Sequence, residues 1–150
     1  MSTVSGLSDH TGYLLRMVSN AVSHDFARRI AAEGVTVAEW VVLRLLYDAD
    51  ALAPSALADR MGMTRGAISR LAERLIAKGL IVRAADPADG RAHRLSLSAE
   101  GRAKTPRLAA LADRNEAEHF GPLDPADQAA LVRILKTLIA ARALSTAPVD

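Results

Sequence analysis

Apolar positions recur at helical spacing along the first part of the chain: Leu14, Leu15, Val18, Val22, Phe26 and Ile30, with Asp25, Arg28 and Arg29 between them. That period predicts a helix over 11–32, about six turns, stopped by Gly34. Thr36-Val37-Ala38-Glu39 reads as a capping box: the Thr hydroxyl takes the amide three residues on, and the Glu carboxylate reaches back. The helix it opens carries Trp40, Val41, Leu43, Leu45 and Leu46 and dies in Asp48-Ala49-Asp50. Pro54 opens a short third helix, where its missing N–H is no loss; Leu57, Ala58 and Met61 form its apolar side and Gly62 closes it. Thr64 is the N-cap of the next, in which Ile68, Leu71, Leu75 and Ile76 recur at three and four residues before Gly79. Two short helices joined by a Gly-containing turn make a helix-turn-helix pattern.

After Gly79 the period changes to two. Leu80-Ile81-Val82-Arg83 predicts one strand, and His93-Arg94-Leu95-Ser96-Leu97 alternates as a second. Asp86-Pro87-Ala88-Asp89-Gly90-Arg91 between them is turn chemistry, so a hairpin with a charged tip is expected. Ser98 caps a long helix to about Phe120, broken by Gly121-Pro122. A last helix runs over about 125–144 with a stripe of Leu131, Ile134, Leu135, Leu138 and Ile139. The segment after Ser145 is expected to be loose. The predicted class is mainly α with a small β-hairpin wing: a winged helix-turn-helix over about 36–101, flanked by helices over about 9–34 and 102–144.

Composition narrows the function. Half of the 150 residues are apolar and 24% are charged, the balance of a folded chain, and the length suits a single domain over 1–150. The absence of Cys excludes disulfides, thiolate metal sites, cysteine nucleophiles and thiol switches. No apolar run approaches the roughly 20 residues that cross a bilayer, and residues 1–9 lack the basic and apolar regions of a secretory signal. A soluble, cytoplasmic protein without a membrane partner is expected. His10, His24, His93 and His119 are scattered, and Glu116 with His119 is only a pair on one helical face, so neither metal nor cofactor is expected.

The net charge of +2 hides an asymmetry: residues 60–107 hold 11 basic and four acidic side chains, and the rest of the chain is acidic by −5. A basic middle between acidic ends is the footprint of a nucleic-acid-binding segment, although a solvated Arg-rich face gives the same count. The helix-turn-helix sharpens the choice. The helix over 64–78 turns Thr64, Arg65, Gly66, Ser69, Arg70 and Arg74 away from its apolar stripe. Arg65 and Arg70 suit base edges, Arg being the usual bidentate partner of guanine. Ser55, Thr64 and Ser69 suit phosphate oxygens. Gly66 weakens a helix by about 1 kcal/mol against Ala, consistent with close backbone approach to a partner or with a tolerated surface position. Arg91 at the hairpin tip suits a narrow minor groove, and Arg94 faces solvent or phosphate.

Two motifs carry a resemblance. Leu57-Ala58, Met63 to Leu71 and Lys78-Gly79-Leu80-Ile81-Val82-Arg83 are followed by Asp89-Gly90-Arg91 and Leu95-Ser96-Leu97-Ser98-Ala99-Glu100-Gly101. At this spacing they closely resemble the MarR (multiple-antibiotic-resistance regulator) family, whose wing reads D-x-R and then L-x-L-[ST]-x-x-G; helix order and lengths fit over nearly the whole chain. The resemblance implies that Asp89 orients Arg91 by an ion pair. It also implies that the first, fifth and sixth helices interlace as an obligate homodimer, and the surplus apolar stripes of the first and last helices call for the same arrangement. Two recognition helices would then read a pseudo-palindromic operator in double-stranded DNA, at half-sites about 34 Å apart. Ala88 stands where many relatives carry Arg, and Ala53 and Ala56 replace a frequent cap residue and a frequent Glu, so fewer phosphate contacts and a weak third-helix cap are expected.

Relatives often bind small aromatic acids between the dimer and DNA-binding regions. Tyr13, Arg16 and Met17 on the first helix and Trp40 and Arg44 on the second are the residues able to do so here: stacking with an Arg clamp suits an aromatic carboxylate. Core packing of Trp40 and Met17 is the plain alternative. The expected function is a sequence-specific dimeric transcriptional regulator, a repressor released by a small anionic aromatic effector. The alternatives are a non-specific architectural DNA binder and a winged helix used for protein contact. An enzyme is not expected, because the chain has no Gly-rich phosphate loop, nucleophile elbow or acid–base constellation.

Overall fold

The computed structural model describes residues 3–149; Met1 and Ser2, part of the stretch read above for leader features, lie outside it. A 3-10 turn at Leu7–Asp9 precedes α1 (Thr11–Ala31), α2 (Val37–Asp48), α3 (Pro54–Met61), α4 (Arg65–Ala77), β1 (Ile81–Asp86), β2 (Asp89–Leu97), α5 (Ala99–Phe120) and α6 (Pro125–Ala141). The helices and the two-stranded antiparallel hairpin follow the predicted order.

Local chemistry sets the boundaries. The capping box of α2 is complete: Glu39 N donates to Thr36 Oγ1 at 3.2 Å and Thr36 N to Glu39 Oε1 at 2.9 Å. Thr64 caps α4 by accepting from Ala67 N, and Ser98 caps α5 by accepting from Gly101 N while donating to the Gly79 carbonyl. Helix α3 has Pro54 in its first turn and no side-chain cap at Ala53, the weakness foreseen.

The core lies where α2, α3, α4 and the strand bases meet: Val42, Leu43, Leu46, Leu57, Met61, Ile68, Leu71, Leu75, Ile81 and Leu95 are buried there with Ile30 and Leu108. Helices α1 and α6 differ. Ile30 is the one buried residue of α1, and α6 has none. Tyr13, Leu14, Leu15, Met17 and Val18, and Val132, Ile134, Leu138 and Ile139, stand exposed, so the surplus stripes find no cover within the described residues.

Three local readings are corrected and one unforeseen contact is added. The strands run to the hairpin tip, leaving Pro87 and Ala88 as the connection where 86–91 was read as turn. Leu52 pairs with Leu95 through two backbone hydrogen bonds of 2.9 and 2.8 Å, a one-residue addition to the hairpin too short to leave a period. Helix α6 ends at Ala141 rather than 144, because Ala143 turns left-handed (φ 49°) and Leu144 N closes back on the Ile139 carbonyl. The segment after Ser145, without regular structure, folds back on the helix-turn-helix: Thr146 lies over Gly62, and Val149 packs against the core.

Candidate DNA-binding interface

The N-terminal half of α4 and the hairpin carry the predicted contacts. Ile68, Leu71 and Leu75 are buried, and this fixes the helix rotation so that Thr64, Arg65, Gly66, Ser69, Arg70 and Arg74 are exposed. Ser55 at the start of α3 is half-buried. Thr64 uses its oxygen as the cap acceptor, which leaves its O–H free to donate. A Cβ built on Gly66 meets nothing within 4 Å. The fold therefore does not require glycine there.

Charge pairing separates two groups of cations. Arg83 bonds Glu73 at 2.7 Å and ties β1 to α4, and Arg94 lies 3.5 Å from Asp86 across the hairpin. Arg65, Arg70, Arg74 and Arg91 form no ion pair among the described residues. Exposed guanidiniums without carboxylate partners are available to phosphates and base edges. Asp89 does not form the expected ion pair with Arg91. Its Oδ1 accepts from the Arg91 backbone N–H at 3.0 Å, so it shapes the tip and leaves the guanidinium free. Arg94 faces solvent as expected, with Asp86 beside it.

Of the five residues assigned to a ligand, Trp40 and Arg44 already have partners within the chain. Trp40 packs edge-on against Phe26, with ring centroids 6.2 Å apart. Arg44 pairs with Asp48 at 2.8 Å. Tyr13, Arg16 and Met17 are exposed on α1, and Met17 precedes Phe26 by nine residues, about 14 Å along a helix. An open hollow along the Pro125–Ala140 face of α6 and a smaller one between Met61–Met63 and residues 146–149 are lined by none of the five. One aromatic feature escaped the sequence: the Tyr47 ring has Arg44 over it at 6.0 Å and Arg102 at 5.4 Å. Arg102 lies 55 positions away, and no local pattern announces that meeting.

Behind the interface, Glu39 is fully buried, and its Oε1 accepts from Lys78 Nζ at 2.9 Å. Burial raises the Glu39 pKa, but the bonds from Lys78 and Thr36 more than offset it and hold the carboxyl below the ordinary glutamate range. On the α1–α5 side, His119 Nε2 lies 2.9 Å from Asp25 Oδ2. The Arg28 hydrogen bond, with His119 assisting against partial burial, keeps Asp25 below its usual value. His119, read as half of a surface pair with Glu116, is thus turned toward α1. The described residues hold no group of three or more His, Cys, Asp or Glu arranged to bind a metal.

Known proteins resemble this chain over nearly its full length. The family model described as the MarR family matches residues 33–92, from the corner before α2 into the hairpin. A protein named for transcriptional regulation of the hcr operon in Thauera aromatica is 31% identical over 88% of this chain and 80% of its own length. An HTH-type transcriptional repressor of Mycobacterium tuberculosis is 29% identical over 89% of this chain and 97% of its own. The solved structure of Bordetella bronchiseptica BpsR, whose DNA binding is regulated by 6-hydroxynicotinic acid, superposes with a TM-score of 0.77 at 28% identity, covering 91% of this chain and 97% of that one. With a relative above 30% identity matched along most of both lengths, and with the helix-turn-helix and wing in place, this chain belongs to the MarR family of DNA-binding transcriptional regulators.

Proposed function

We propose that this regulator is a homodimeric, sequence-specific repressor acting on a pseudo-palindromic operator in the cytoplasm, and that a small anionic aromatic ligand releases it. The observation that carries the reading is the set of unpaired guanidiniums, Arg65, Arg70 and Arg74 on α4 and Arg91 at the wing tip. Arg65 and Arg70 read bases in the major groove, and Arg91 enters the adjacent minor groove. Thr64, Ser69 and Ser55 position the chain on phosphates. Asp89 holds the tip, Arg94 lies beside it, and Gly66 lets the backbone approach the duplex.

The exposed apolar stripes of α1 and α6 support the dimer, since stripes of this size are normally covered by a second copy. The ligand reading rests on the chemistry of Tyr13, Arg16 and Met17 with Trp40 and Arg44. A relative regulated by an aromatic acid supports that class of effector. Nothing in this reading assigns the chain a catalytic residue, a cofactor or a membrane partner.

The test is titration onto the promoter DNA beside its own gene and onto scrambled DNA of equal length, at two salt concentrations. A preference of a hundredfold or more that falls on adding an aromatic carboxylate is expected. Equal, salt-labile binding to both DNAs would replace the reading with an architectural one, and binding to neither would favour protein contact.

A further inference from the structure

Lys78, one residue beyond α4, makes two bonds at once. Its Nζ donates to the Gly34 carbonyl at 2.8 Å and to Glu39 Oε1 at 2.9 Å. Gly34 lies in the corner between α1 and α2, and Glu39 is in the first turn of α2. Lys104 of α5 reaches the same corner at Glu33, 3.9 Å away. The second carboxylate oxygen, Glu39 Oε2, is buried without a partner among the described residues, so the carboxylate is held by Lys78 and the Thr36 cap alone. The carboxylate is buried with one orphaned oxygen while the Lys78 side chain is 39% exposed, and such a pair is weak evidence of stability, because desolvating the carboxylate offsets much of the attraction. What it does supply is geometry.

The arrangement is a lever. The buried stripe of Ile68, Leu71 and Leu75 holds α4 down, and the exposed Arg83–Glu73 pair links it to β1 of the wing. Lys78 ties its far end to the corner that ends α1, the helix carrying one of the uncovered apolar stripes. Arg65 is at the opposite end, 13 residues or about 20 Å away along the axis. A swing of about 10° at the Lys78 end carries Arg65 through about 3.4 Å, the rise of one base pair.

We infer that the Lys78–Glu39–Gly34 joint is a positioning element that fixes the heading of the recognition helix relative to α1, and so sets the half-site spacing that the dimer accepts. This rests on the dimeric, DNA-reading function proposed above. Lys78 and Glu39 themselves touch no base.

The experiment uses the full chain and an operator selected from random DNA by the wild-type protein. Affinity is then measured on a series in which the spacer between half-sites is shortened by one base pair, unchanged, or lengthened by one or two. The principal variant is Lys78→Met with Glu39→Gln, in which the introduced amide can still complete the capping box and no buried charge is left alone. Glu39→Gln by itself, keeping the Lys78 bond to Gly34, is the second variant, and each is compared at matched folded fraction by Trp40 fluorescence. Wild type is expected to lose tenfold or more in affinity per base pair of altered spacing. The double variant should vary less than threefold across the series at an unchanged single half-site affinity, with Glu39→Gln between the two. A double variant, or Lys78→Ala with Glu39→Gln if that one does not fold, that keeps the wild-type spacing profile overturns the inference while leaving the DNA-reading function intact. Failure of the wild type to enrich any sequence overturns both.

Discussion

Gly101 lies so close under Leu80 that a Cβ on it would fall 2.0 Å from the Leu80 carbonyl oxygen. The approach is forced because that carbonyl also accepts from Ser98 N at 3.0 Å, while the Ser98 hydroxyl caps α5 through Gly101 N. The last residue of L-x-L-[ST]-x-x-G therefore joins the base of the wing to α5, and its lack of a side chain is a packing requirement. Gly101→Ala should destabilise the fold by about 3 kcal/mol or more, at the upper end for overpacking. Urea unfolding followed by Trp40 fluorescence checks this; a change below about 1 kcal/mol would mean that the junction yields freely.

On the DNA side, Arg65→Ala and Arg91→Ala should fail differently. Arg65, at the first turn of α4, is assigned to a base edge, so its loss should weaken operator binding by about 1–3 kcal/mol and relax preference at one position. Loss of Arg91 should weaken binding and reduce the salt slope by about one. Competition binding against single-base operator variants at several salt concentrations separates the two. Unchanged affinity and preference in both variants would put the recognition surface elsewhere.

Most of this surface is legible in the sequence because it depends on short-range pattern. The stripe of Ile68, Leu71 and Leu75 fixes which side of α4 faces out, and Thr36–Glu39, Thr64 and Ser98 cap within three residues of themselves. What stays hidden is pairing between distant positions. Lys78 meets Glu39 across 39 residues and Asn115 Nδ2 reaches the Val22 carbonyl across 93. Leu52 joins Leu95 as a single residue with no period at all. Asp89 is legible as a turn residue but not as the partner of a backbone amide, since spacing alone does not distinguish a carboxylate that takes a guanidinium from one that takes the N–H beside it.

Acid should expose the Glu39 joint. Its folded pKa lies below the ordinary value, so the stabilisation it gives is complete above that value. It is lost as pH falls from about 4.3, the unfolded reference, through the lower folded pKa. Glu39→Gln should remove this contribution and flatten the acid limb of stability below about pH 4.5 relative to wild type. Parallel acid limbs for the two proteins, measured by urea midpoints from about pH 3 to 7, would show that the Lys78 bond does not favour the carboxylate as described.

Gly62 ends α3 in the left-handed region at φ 64°, and a Cβ there would stand 2.9 Å from Thr146 Oγ1. Gly62→Ala should cost about 1–2 kcal/mol from backbone conformation alone, and somewhat more while Thr146 is seated on it. Deleting 146–150 should relieve only the second part, so Gly62→Ala should be less harmful in the shortened protein. Equal losses in both backgrounds would mean that the segment does not rest on the helix-turn-helix corner in solution.

Leu138 and Ile139 expose about half of their surface, 54% and 46%, on a helix that buries none of its residues within the single chain. A charge there is nearly harmless to an isolated chain and severe for one whose α6 packs against a second copy, where it would be desolvated without a partner. Ile139→Asp should therefore convert a species of twice 15.9 kDa into one of that mass by light scattering at about 10 μM, with α-helix content largely kept. Operator affinity should fall by a hundredfold or more, because each half-site must then bind alone. A wild-type protein that already runs at the single-chain mass would remove the dimer, and with it the pseudo-palindromic operator, from the proposed function.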